Sequence, residues 1–178
     1  MCKYVLVGKS ASGRGRFQKI MVEHGFKPLK QYTTKSHKQN EHDDNYHFIS
    51  QKKMNSMIQK NKFASVRTFK NSDYAFTIED LKNCDVAILS IGNIEDLRNW
   101  YPNVLRSTSI IFLDIPIEIR KKRLSTRYNV EKEHDVVINK INEDEHDFRN
   151  FNYFDIKFTS TDEVLKFINK ITLSKNYD

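Results

Sequence analysis

Gly8-Lys9-Ser10-Ala11-Ser12-Gly13-Arg14-Gly15 is the stretch of this chain whose residue types and spacing can do chemistry. Small and hydroxyl residues between two glycines let successive backbone N–H groups turn toward one anion, and the chemistry this suits is phosphate binding. The interval from Gly8 to Gly13 is that of G-x-x-x-x-G-K-[ST], in which the lysine reaches the outer phosphates and the hydroxyl takes magnesium. Here those last two positions are Arg14 and Gly15, so the charge is kept and the hydroxyl is gone. The alternative is a Gly/Ser-rich strand-to-helix turn that holds no nucleotide.

Two further groups carry charge at useful spacing. Arg123 and Arg127 are four apart, which puts both on one face of a helix within reach of one ligand. His37, His42 and His47, with Asp43 and Asp44, match no standard ligand spacing. The segment from Lys35 to Asn45 is almost wholly polar and reads as an exposed loop with no metal.

The elements that must position these residues follow from apolar periodicity. Tyr4–Val7 is an apolar run before the glycine loop. Phe17, Ile20 and Met21 then recur at helical spacing until Gly25. A second strand is expected within Lys27–Tyr32, ending at Thr33-Thr34, with others over Tyr46–Ile49 and Phe63–Phe69. Between the last two, Ser50 is expected to cap a helix carrying Met54, Met57 and Ile58. A helix is expected over Thr77–Asn83. Val86–Ile91 and Ile110–Leu113 are continuous apolar runs, the pattern of strands covered on both faces in a parallel sheet. Between them, Asn93 is expected to cap a helix through Trp100, with Pro102 past its end. Pro116 opens a helix through Arg123 and Leu124, and a long helix is expected from about Asp135 to Phe148. Tyr153–Phe158 reads as the last strand, and Thr161 as the cap of the final helix. The class is α/β, a mainly parallel sheet flanked by helices.

At 178 residues the chain fits one domain. Thirty Lys+Arg against 23 Asp+Glu give +7. The basic residues are dispersed rather than in a block, which favours discrete phosphate contacts over nucleic acid. Cys2 and Cys84 have neither the number nor the spacing of a disulfide framework or zinc site, and no apolar run approaches the ~18 residues of a membrane span. The expectation is a cytoplasmic protein with no membrane or nucleic-acid partner.

Taken in order, Gly8 to Gly13, Tyr32-Thr33-Thr34-Lys35, Glu41, Tyr46-His47-Phe48-Ile49-Ser50, Phe63, Tyr74, Ile111-Phe112-Leu113, Arg123-Leu124-Ser125-Thr126-Arg127 and Asp144 to Phe148 resemble the guanylate kinase family, particularly its divergent phage-type members. The resemblance covers essentially the whole chain. It implies a P-loop NTPase-like core over about 1–30, 77–125 and 150–175, an insertion over about 31–76 that binds the nucleoside monophosphate (NMP), and a helical lid over about 126–135. It also implies ATP and Mg²⁺ as donor and cofactor, and a monomer or homodimer.

Residue by residue, the resemblance implies that Gly8, Lys9, Ser10, Ala11, Ser12, Gly13, Arg14 and Gly15 surround the donor phosphates. Arg14, Arg123 and Arg127 would neutralise charge during transfer, and a third lid cation falls near Lys140. The family's T-T-R-x-x-R-x-x-E appears as Thr33-Thr34-Lys35-Ser36-His37-Lys38-Gln39-Asn40-Glu41. Thr33, Thr34, Lys35, Lys38, Glu41, Tyr46 and Tyr74 therefore take the acceptor-binding positions. Lysine for arginine keeps the charge but replaces a bidentate fork by a point charge. The positions that would pair with guanine are Ser65, Phe76, Ser90 and Gly92, and they lack the acidic acceptors that N1–H and the 2-amine need. The chain reads as an ATP-dependent nucleoside or deoxynucleoside monophosphate kinase; the alternative is a nucleotide- or protein-binding module that has lost efficient transfer, a reading favoured by Arg14 and Gly15.

Overall fold

The computed structural model describes residues 2–37, 46–127 and 130–175. Along the chain, β1 (Tyr4–Gly8) leads to α1 (Arg14–Glu23), then β2 (Gln31–Thr33), β3 (Tyr46–Phe48) and α2 (Gln51–Gln59). There follow β4 (Ser65–Phe69), β5 (Ser72–Phe76), α3 (Ile78–Lys82), β6 (Val86–Ile88), α4 (Ile91–Trp100) and α5 (Pro102–Leu105). The remainder is β7 (Ser109–Leu113), α6 (Ile117–Arg127), α7 (Val130–Asp147), β8 (Ile156–Phe158) and α8 (Thr161–Lys175). Tertiary contacts divide the chain into two compact units, Met1–Tyr4 with Phe26–Thr108, and Val5–Gly25 with Ser109–Asp178.

The first unit contains a four-stranded sheet in the order β3-β2-β5-β4. β2 runs parallel to β3 with Thr33 opposite Phe48, and antiparallel to β5 with Thr33 opposite Tyr74. The β4–β5 hairpin pairs Ser65 with Phe76. Its turn at Lys70-Asn71 adopts positive φ at both residues. Ser50 caps α2 by accepting the Lys53 N–H, and Thr77 opens α3 with a reciprocal box to Asp80. Met54, Phe76, Leu81, Val86, Ile94 and Leu97 are fully buried or nearly so. Cys2 and Cys84 are free and buried. The Cys84 thiol donates to the Leu81 carbonyl, and the neighbouring Cys2 thiol and burial push its pKa up, away from the reactive thiolate.

The run expected as a strand over Val86–Ile91 stops at Ile88, because Ser90 begins α4. The Ser90 hydroxyl accepts the Asn93 N–H, and the Asn93 side chain returns to the Ser90 N–H. Asn93, expected as the cap, is thus the third helical residue of a capping box. Pro102 does not merely follow α4 but starts α5 at a position where its missing N–H is no loss.

In the second unit, β1, β7 and β8 are neighbours in that order, and β7 runs parallel to β8 with Phe112 opposite Lys157. Every β1 residue after Tyr4 is buried, as are Ile110–Leu113. Ala11, Leu124, Val137 and Ile141 form one apolar cluster with Ile117 packed against it, which joins α6 and α7 to the turn after β1. The last strand is shorter than expected, covering 156–158 rather than 153–158. Ser160, not Thr161, caps α8: its hydroxyl accepts the Glu163 N–H, and the Glu163 carboxylate accepts from the Thr159 and Ser160 N–H groups.

Candidate phosphate-binding site

The turn after β1 has the backbone shape that its composition suggested. Ala11 lies at φ 59 and Gly13 at φ 102, two left-handed positions that curl the chain before α1. The Ser12 N–H closes the turn on the Lys9 carbonyl at 3.1 Å. A Cβ on Gly13 would stand 2.9 Å from the Phe17 ring, and one on Gly8 would stand 2.8 Å from the Leu113 carbonyl oxygen. Both glycines are therefore required by close approach.

α1 starts with no side-chain cap. Its first intrahelical bond is the Phe17 N–H to the Gly13 carbonyl at 3.0 Å. The N–H groups from Gly13 to Arg16 are left for an outside acceptor at the positive end of the helix dipole. That is an anion-binding arrangement. Beside it, Ser12 is 1% exposed and its hydroxyl has no hydrogen-bond partner among the described residues. Burial lowers the Arg14 pKa, and the charge of Asp144 opposes the shift.

The other side of the turn is held by α7. Asp144 accepts the Ser10 N–H at 2.9 Å and the Ser10 hydroxyl at 3.2 Å. Lys9 pairs with Glu145 at 2.8 Å and Asp114 at 3.4 Å, and Lys157 joins Asp114 at 2.8 Å. Arg120 is completely buried. It donates to the Ile115 carbonyl and to Glu145, and stands 3.6 Å from Asp144. For Asp114, burial alone would raise the pKa, but Lys157 and Lys9 hold it below the ordinary value. Glu145 behaves likewise, with Lys9 and Arg120 outweighing its burial. Arg120, Asp114 and Lys157 were not singled out from the sequence, yet Arg120 lies three residues before Arg123, a spacing that places it on a neighbouring part of the same helix face.

Arg123 is brought to the turn, though on its carbonyl side. It donates to Ala11 O at 3.0 Å, Ser12 O at 3.2 Å and the Thr161 hydroxyl at 2.9 Å, so it braces the loop's shape. Lys140 pairs with Glu143 one turn on, at 3.8 Å. Arg127 ends α6, and its side chain lies outside the described residues, as do Lys38 and Glu41.

In the first unit, β2, β3 and β5 bring Thr33, Thr34, Tyr46 and Tyr74 together. The Thr33 hydroxyl accepts the Lys35 N–H, and the Thr34 hydroxyl accepts the Asp73 N–H. Tyr46 meets Tyr74 edge to face at 5.7 Å. His37 and His47 rest against Phe48 and Tyr32, respectively. The Ser65 hydroxyl donates to Asp96 at 2.6 Å and accepts from Asn93 at 2.8 Å, while Arg67 pairs with Asp96 at 2.9 Å.

Gly15 brings no hydroxyl to the loop for magnesium, and a Cβ there would meet nothing within 4 Å. Asp114 and Glu145 are paired with cations. Among the described residues, no three His, Cys, Asp or Glu side chains gather as a metal site, and no helix is long and apolar enough to cross a membrane.

A search of curated proteins finds no match. Among solved structures, guanylate kinase from Anaplasma phagocytophilum is similar at a TM-score of 0.63 and 10% identity, covering 99% of this chain and 85% of that one. At that identity the likeness speaks for the fold, an α/β fold with a parallel sheet flanked by helices. The family model described as guanylate kinase matches residues 1–172, nearly the whole chain. On that match, the chain belongs to the guanylate kinase family.

Proposed function

We propose that this chain is a nucleoside or deoxynucleoside monophosphate kinase that transfers the terminal phosphoryl group of ATP to its acceptor. The observation that carries the reading is the uncapped start of α1, where four N–H groups stand ready behind the positive-φ turn at Ala11 and Gly13. Main-chain donors hold a phosphate without any particular side chain, so the loss of the usual lysine and hydroxyl does not remove binding. The assigned roles are donor-phosphate binding for Gly8–Gly15, charge neutralisation by Arg14 with Arg127 and Lys140, and bracing of the loop by Arg123. Acceptor binding falls to Thr33, Thr34, Lys35, Lys38, Glu41, Tyr46 and Tyr74. Phosphoryl transfer asks mainly for positioning and positive charge, and an anionic acceptor phosphate needs no general base. Since Gly15 supplies no ligand, magnesium would arrive as the counter-ion of ATP.

Base preference is expected to be relaxed or shifted away from guanine. Ser65 spends its hydroxyl on Asn93 and Asp96, and Phe76 is 1% exposed, so neither position offers guanine a free acceptor. We further expect a cytoplasmic monomer or homodimer, with no nucleic-acid or membrane partner.

The second reading is a binding module of the same fold, favoured by the open space at Gly15 where a magnesium ligand would sit. A coupled phosphotransfer assay with ATP and Mg²⁺ against all ribo- and deoxynucleoside monophosphates, paired with calorimetric ATP titration, separates the two. Turnover with at least one acceptor supports the kinase. ATP binding without turnover supports the module, and no ATP binding removes the nucleotide reading.

A further inference from the structure

We propose that a cavity in the unit carrying the phosphate loop is a second ligand site, shaped for a planar aromatic anion and separate from the N–H donors at the start of α1. The cavity encloses about 570 Å³, within the size range of small-molecule sites. From the loop it touches Lys9, whereas the donors run from Gly13 to Arg16.

Four phenylalanines line the cavity. Phe112 and Phe148 stack at 5.5 Å with ring planes 6° apart, and Phe151 meets both edge-on at 5.3 and 5.7 Å. Phe154 tilts against Phe112 at 5.5 Å. Phe148 and Phe154 remain half-buried, so ring surface is left for a guest. Such surface favours another planar ring in an offset or edge-on arrangement.

The charges that share this lining select the sign of the guest; one of them, Lys157, stands over the Phe112 ring at 5.8 Å. Lys9 is matched by Glu145 and Lys157 by Asp114, both at 2.8 Å. Arg149 also lines the cavity, is exposed, and makes no side-chain hydrogen bond or ion pair to a described residue. One positive charge with a planar, forked donor set is therefore unmatched next to an aromatic wall. A guanidinium of this kind suits a carboxylate, sulfonate or phosphate carried on a ring. Asn152, exposed on the same lining, adds amide donors.

The test is a fluorescence titration of the full chain with 1-anilinonaphthalene-8-sulfonate, a ring-borne anion. Saturable binding at one site is expected. Arg149→Glu should raise its Kd by at least about tenfold, while Arg149→Lys should stay within about threefold. Asn152→Trp, which adds bulk to the cavity lining at an exposed position, should also weaken the probe, and Arg14→Ala at the donor loop should leave it unchanged. Unsaturable binding, equal binding by Arg149→Glu, or loss of binding in Arg14→Ala would each overturn the proposal. Probe binding by a wild-type chain that fails to bind ATP would sink the kinase reading and leave this site standing.

Discussion

Asp144 accepts both the main-chain N–H and the hydroxyl of Ser10, at 2.9 and 3.2 Å, across 134 residues of sequence. The same carboxylate stands 3.6 Å from the buried Arg120 guanidinium. One side chain of α7 thus holds the front of the phosphate loop and balances a charge taken out of water.

Removing it should be costly. Asp144→Ala is expected to lower the unfolding free energy by about 3–5 kcal/mol, the range for stripping a buried ion of its partner. Asp144→Asn, which can still accept the Ser10 N–H, should lose less. Urea denaturation measures both, and a loss below about 1 kcal/mol for the alanine variant would show that Arg120 does not depend on this contact.

The two glycines of the loop's second half should respond in opposite directions. Gly13 sits at φ 102 with the Phe17 ring 2.9 Å from a built Cβ, so Gly13→Ala should destabilise by about 1–3 kcal/mol. Gly15 is helical with nothing within 4 Å, so Gly15→Ala should stabilise by about 0.5–1 kcal/mol. Thermal melts of the two variants check the contrast, and equal shifts would contradict it.

Acid should loosen the carboxylate network in a defined direction. Asp114 and Glu145 have folded-state pKa values held below their ordinary ones by Lys157, Lys9 and Arg120. Their contribution to stability is therefore fully present above the ordinary carboxylate range, and is lost as pH falls from about 5 through the folded values. The urea midpoint should drop over this window. In Glu145→Gln the drop should be shallower, and an unchanged slope would show that Glu145 is not among the titrating groups.

Binding and transfer should come apart at the loop. Arg14→Ala is expected to weaken ATP binding, while Arg14→Lys combined with Gly15→Thr should raise the single-turnover rate. The space around Gly15 accepts the added side chain. Charge stabilisation at such a position is commonly worth on the order of 10²–10³ in rate. ATP affinity and single-turnover kinetics on both variants decide this; a double variant no faster than wild type would mean that the loop is not what limits transfer.

On the acceptor side, Lys35→Ala is expected to raise the Kd for nucleoside monophosphates by about tenfold, the scale of one charge-assisted contact. Isothermal titration with the four monophosphates reads both this loss and the base preference. Strong selectivity for GMP over the other three would contradict the relaxed preference inferred from Ser65 and Phe76.

Local order alone determined much of this protein. The apolar runs around Val5 and Ile111, the glycine spacing of the loop and the cap at Ser50 all act between residues a few positions apart, so they are legible without a fold. Boundaries were less so: at Ser90 a capping box overrode an apolar run, and at Ser160 the Glu163 carboxylate chose between two adjacent hydroxyls. What the tertiary structure alone decided was which charges meet. Lys9, Arg120, Asp114, Asp144, Glu145 and Lys157 come from four separate stretches of chain, and their pairing exists only once β1, β7, α6, α7 and β8 bring them together. Arg123 shows the same limit: its spacing placed it on a useful helix face, but only three-dimensional packing set its guanidinium on the carbonyls of Ala11 and Ser12. Side-chain pairing over long separations depends on distances that spacing along the chain does not encode.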